Sequence, residues 1–224
     1  MEAWWTVLGE STYERVEADR LPRLPEHLLG SLSWLSGLEP YPADENVLRS
    51  DQAQRPLSPE GPSWLVAQGV PEASIPHELS ELMRTPSLLS GIGSVTLCFV
   101  DLGDVVQPLD ASAGGGWLVR FLSDSQLVRS WLVHAAVTGE HRVVTTPAWI
   151  GYDEPYEPDE PYPVPRRALT SADLERLEVE VCAPSLTAFL ARFWLEDEAW
   201  RALHGSDVSD DATRYLAEWR RLNP

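Results

Sequence analysis

The chain has 224 residues, with 35 acidic side chains against 17 basic ones and a formal charge of −18 near neutrality. All 17 basic groups are arginine, which excludes a P-loop lysine, a Schiff-base lysine and a Ser–Lys dyad. A field this negative disfavours nucleic acid and favours a basic partner, while 43% apolar residues suffice to fill the core of one domain with decorations.

The opening Met1-Glu2-Ala3-Trp4-Trp5 puts an acid where a signal peptide needs a basic region, and no apolar run approaches the ~20 residues of a membrane helix. A cytoplasmic protein away from membranes is expected. Within 11–37 a helix is expected, because Leu28, Leu32 and Leu35 recur at helical spacing between Leu24-Pro25 and Gly37. Residues 38–61, rich in Pro, Asp, Glu and Ser, read as a long loop. Short helices are expected at 63–68 and 75–83, the second with Pro76 in its first turn and Pro86 past its end.

The period then changes. Residues 95–100 form a β-branched run bounded by Gly93 and Gly103, which predicts a strand. After a flexible turn at 110–116, further strands are expected at 117–122, 127–135 and 141–146. The joints at 123–125 and 138–140 are too short for a parallel crossover, so these strands make an antiparallel meander. Residues 152–165 hold five prolines, five acids and three tyrosines and read as an exposed, stiffened loop. Residues 177–182 alternate as a half-buried strand. Ser185 then caps the strongest helix, with Leu186, Phe189, Leu190, Phe193, Trp194 and Trp200 apolar and Gly205 as its stop. A last helix from about Asp210 sets Ala212, Tyr215, Leu216, Trp219 and Leu222 on one stripe. The expected class is α+β: a single domain whose twisted, mostly antiparallel sheet is flanked by N- and C-terminal helices. Its parts are an N-terminal helix and long loop (1–75), an α+β core with the acidic loop (76–205) and a C-terminal helix (206–224).

Chemistry is sparse along this chain. No Gly-x-Ser-x-Gly elbow occurs, and Gly91-x-Gly93 lacks the third glycine of a dinucleotide loop, Thr96 standing there. Cys98 and Cys182 sit in apolar segments without ligand spacing and are expected to be reduced core residues. His134 and His141 face each other's strand across one hairpin, with Glu140 beside them, but a metal needs a third or fourth donor that the sequence does not supply. The run Glu196-Asp197-Glu198 reads as a solvated helix face. Trp117, Trp131, Trp194 and Trp200 read as core, whereas Trp4, Trp5 and Trp149 are the better candidates for exposure. Asp153, Glu154, Glu157, Asp159 and Glu160, with Tyr156, Tyr162 and the preceding Trp149, form the candidate docking surface for a basic protein. Tyrosine there supplies rigid contact area, and the acids steer encounter.

Three runs in order carry a family resemblance: WLVRFLSDSQ at 117–126, then Ser130-Trp131-Leu132-Val133 with the turn Thr138-Gly139-Glu140 and Val143-Val144, and finally PSLTAFLARFWLEDEAW at 184–200. Together with the preceding strand they span about 95–203, and this half of the chain resembles the SUKH superfamily, which includes bacterial immunity proteins and yeast cell-wall-synthesis regulators. Leu24-Pro25-Glu26-His27-Leu28 keeps the family's Leu-Pro pair but not the aromatic that usually follows. The resemblance implies a non-catalytic domain, without metal or cofactor, that neutralises a cognate and often basic toxin by occluding its cleft. Two other readings stay open: a small metal-dependent hydrolase gathering His134, His141 and a carboxylate, and a regulatory scaffold protein docking a basic host protein through the acidic loop. Oligomeric state is not legible.

Overall fold

The described residues of this computed structural model are 3–9, 13–41, 61–100, 106–126, 128–148, 150 and 167–224. They open with an antiparallel hairpin, β1 (Ala3–Thr6) and β2 (Glu14–Glu17), in which Trp4 pairs with Val16 and Trp5 with Arg15. Where the leucine spacing predicts a helix there are two 3₁₀ turns instead, Glu26–Leu28 and Ser33–Gly37. Gly30 lies between them at φ +83°, a left-handed conformation no α-helix accommodates. Leu28, Leu32 and Leu35 are nonetheless buried, so the spacing reported burial and not helix.

Two short helices follow near the predicted places, α1 (Gly61–Ala67) and α2 (His77–Arg84), and Leu79, Leu82 and Met83 of α2 are buried. Of the strand predicted at 95–100 only β3 (Phe99–Val100) forms, because Leu97 at φ +58° turns the backbone out of the extended region. An unanticipated strand, β4 (Val106–Pro108), shares with β3 one edge of β5 (Trp117–Ser123). The sheet continues through β6 (Ser130–Ala135) and β7 (His141–Thr146) to β8 (Glu180–Ala183), every one of these strand pairings being antiparallel. An unpredicted short helix, α3 (Ser171–Arg176), precedes β8, and α4 (Leu186–Leu203) and α5 (Asp210–Leu222) close the chain. The fold is α+β, as the element order predicts.

Both faces of the sheet are covered, so β6 is buried along its whole length and reads as an apolar run rather than an alternation. A bulge in β5 shapes the larger core: Arg120 pairs with Leu132 and Leu122 with Trp131, leaving Phe121 as the extra residue. Phe121 and Leu122 thereby enter the same cluster as Trp131, Val133, Leu186 and Phe189. Phe189 is fully buried, its ring 5.3 Å from that of Trp4, 5.2 Å from Phe121 and 6.1 Å from Trp131. Such aromatic pairs add roughly 0.5–1.5 kcal/mol each beyond the area they bury. Trp4, expected near the surface, is thus a core residue. Leu118, Leu132 and Val144 on the other face pack with Ile150, Leu169 and Leu177.

The strongest predicted helix is observed with its cap, Ser185 Oγ accepting from the Ala188 N–H at 3.1 Å. α5 lays Ala212, Tyr215, Leu216 and Trp219 against Ala191, Trp194 and Leu195 of α4. With the sheet against one side of α4 and α5 against another, the run Glu196-Asp197 is enclosed, each residue no more than 3% exposed, where the sequence predicts a solvated face.

Candidate functional site

Trp149 and the whole acidic segment, including Asp153, Glu154, Tyr156, Glu157, Asp159, Glu160 and Tyr162, lie outside the described residues. The other chemistry named from sequence can be placed. Within the β6–β7 hairpin His134 pairs with Arg142, and His141 with Ala135. Adjacent positions on a strand point to opposite faces, so the two histidines leave the hairpin on opposite faces of the sheet, although both border the cleft at its turn. His141 turns toward α2 and α4, its Nε2 3.8 Å from Glu78 Oε2 and 3.4 Å from the Leu186 N–H. Among the described residues no three His, Cys, Asp or Glu side chains gather where they could hold a metal ion.

His134 belongs to the other side. Its Nε2 lies 2.9 Å from the Gly115 carbonyl, and its Nδ1 accepts from Arg142 Nε at 3.2 Å. Burial, with the neighbouring Arg142 charge, lowers its pKa and favours the neutral ring that this pattern requires: Nε2–H donating and Nδ1 accepting. Gly115 is one of three consecutive glycines at positive φ, and at Gly116 a Cβ would stand 2.2 Å from the Ala135 carbonyl oxygen, so the turn carrying this acceptor requires glycine. A cleft of about 770 Å3 opens here, bordered by both histidines, Glu140 and Arg142 and by Val137, Val181 and Pro184.

Three polar constellations lie elsewhere, two of them buried and the third partly exposed. At one, Tyr13, itself at φ +61°, donates its hydroxyl proton to Asp124 Oδ1 at 2.8 Å and lies 2.8 Å from Thr96 Oγ1 and 3.3 Å from Cys98 Sγ. Burial pushes the Cys98 thiol up to about 11, so it is no thiolate near neutrality and no nucleophile. At the second, Glu196 accepts from Thr6 Oγ1 at 2.9 Å, the Val7 N–H at 3.1 Å and the Tyr215 hydroxyl at 3.1 Å, tying β1, α4 and α5 together; burial raises its pKa. At the third, the Arg129 guanidinium stacks 3.5 Å from the Trp5 ring centroid, beside Glu180, which accepts from Trp5 Nε1 at 3.3 Å and Arg15 Nε at 3.1 Å. These groups are locked into the fold rather than turned toward a substrate.

Sequence reasoning missed Arg142. Its signal was present in the hairpin arithmetic, since the register that separates His134 from His141 is the one that sets Arg142 opposite His134. No helix among the described residues is long and apolar enough to cross a membrane. No family model, curated protein or solved structure matches the chain.

Proposed function

We propose that the chain is a non-catalytic protein-binding module of SUKH type, a cytoplasmic immunity protein that occludes a basic toxin. The observation that carries this reading is the position of the three signature runs: WLVRFLSDSQ begins with β5 and its bulge, Ser130–Val133 opens β6, and the run from Pro184 becomes α4 on the sheet's inner face. A meander followed by a long terminal helix is the arrangement the resemblance implies. The formal charge of −18 adds a physical reason, because a negative field accelerates encounter with a cationic partner and does so less as salt rises.

The metal-dependent hydrolase reading has less behind it: His134, His141 and Glu140 all line the cleft at the β6–β7 turn, but among the described residues no three His, Cys, Asp or Glu side chains gather where they could hold a metal ion. The decisive experiment co-expresses the chain with the toxic product encoded beside its gene and measures growth, together with binding of the purified pair at ~50 mM and ~500 mM salt. Protection with salt-weakened binding is expected. Neither protection nor binding would overturn the immunity reading, and unchanged binding after deletion of 153–163 would remove the acidic loop from the interface.

A further inference from the structure

The cleft beside the β6–β7 turn is a candidate site of a different kind. Its volume of about 770 Å3 is that of a small-molecule pocket. Its lining combines the apolar Val137, Val181 and Pro184 with the polar His134, His141, Glu140 and Arg142. The Arg142 Nε is committed to His134 Nδ1 at 3.2 Å. Among the described residues no carboxylate comes within salt-bridge distance of its guanidinium, although Arg15, Arg167, Arg176, Arg201, Arg214 and Arg221 are all ion-paired.

His134 is 5% exposed and held at both ring nitrogens, so its Nδ1 gives the Arg142 Nε a fixed anchor. A guanidinium held through Nε presents Nη1 and Nη2 as a fork matched to two oxygens of one carboxylate, and the immobilisation is made before the ligand arrives. Glu140 lines the same cleft. Its charge opposes a dianion more than a monoanion, which selects against phosphate monoesters.

We propose that this cleft binds a small organic monocarboxylate, gripped end-on by Nη1 and Nη2 of Arg142, with its apolar body against Val137, Val181 and Pro184. The site goes beyond the partner reading and does not rest on it. The ligand is small and anionic where the partner is a basic protein, and the test needs no partner.

Calorimetric titration of the full chain with 4-tert-butylbenzoate, and separately with the uncharged 4-tert-butylbenzamide, reads the proposal directly. Saturable one-to-one binding of the benzoate is expected, about tenfold or more tighter than the amide, because the charge-assisted pair is lost with the carboxylate. Arg142→Gln, at an exposed position, should weaken the benzoate about tenfold or more while the chain stays folded, which a melting curve checks. Glu140→Gln should tighten it about two- to threefold by removing the like charge. The proposal is overturned by absence of saturable benzoate binding to the wild-type chain, by equal affinity for benzoate and amide, by indifference to Arg142→Gln, or by weaker binding in Glu140→Gln.

Discussion

The Asp197 carboxylate is packed so tightly against Gly93 that a Cβ added to the glycine would stand 2.5 Å from Oδ2. Both carboxylate oxygens are buried and, among the described residues, have no hydrogen-bond partner at good geometry. Burial raises the Asp197 pKa to about 7; the Arg201 charge and the Val95 amide hold it down and the Glu198 charge adds to the rise. The folded state therefore holds this proton more strongly than the unfolded chain, whose value is near 3.8. The stability this gives is fully present below about pH 4 and is lost as pH rises to about 7. Asp197→Asn should change little at pH 4 and raise unfolding free energy by about 1–3 kcal/mol at pH 8. Urea melts of both proteins at the two pH values check it, and an equal effect at both would refute it.

Phe189 joins the sheet, the N-terminal hairpin and α4 in one aromatic cluster. Phe189→Ala should cost about 3–5 kcal/mol, transfer and cavity terms together, whereas Phe189→Leu should cost well under half of that. Equilibrium denaturation measures both, and a cost below about 1 kcal/mol for the alanine would show that the cluster collapses around the void.

Gly115 and Gly116 are neighbours with different constraints. Both have positive φ, but a Cβ at Gly115 meets nothing within 4 Å and one at Gly116 meets Ala135 O. Gly115→Ala should cost about 1–2 kcal/mol from backbone strain alone. Gly116→Ala adds a clash with a sheet carbonyl and should cost about 2–5 kcal/mol. Thermal melts of the pair test the ranking, which fails if Gly115 is the more sensitive.

Cys98 and Cys182 are both buried, and neither is in a disulfide. At pH 7.5 a thiol reagent should label neither in the native protein on a timescale of minutes and both after denaturation. Rapid labelling of one thiol without denaturant would mean that its segment opens locally far more readily than the packing implies.

The central strands and the last two helices were legible because each carries its signal within a few residues: β-branched and aromatic runs, short joints, Ser185 as a cap and the apolar stripe from Ala212 to Leu222. What escaped depends on contacts remote in sequence. Leucines spaced for a helix serve equally well in successive 3₁₀ turns once Gly30 turns left-handed. Glu196 and Asp197 read as solvated because nothing local announces that the sheet, α5 and β1 all close over them. The two histidines were a matter of parity. His134 pairs with Arg142, and a register shifted by one residue would have paired it with His141 instead.

Glu196 accepts from Thr6 in β1 and from Tyr215 in α5, the first of these partners 190 positions away. A ribosome adds about 5–20 residues each second, so β1 emerges roughly 10–40 s before the acid that anchors it is made. Through that interval Trp4 has no Phe189 to rest on. β1 is thus made without the aromatic cover that Phe189 gives it, and the core around it closes only when α4 and α5 arrive.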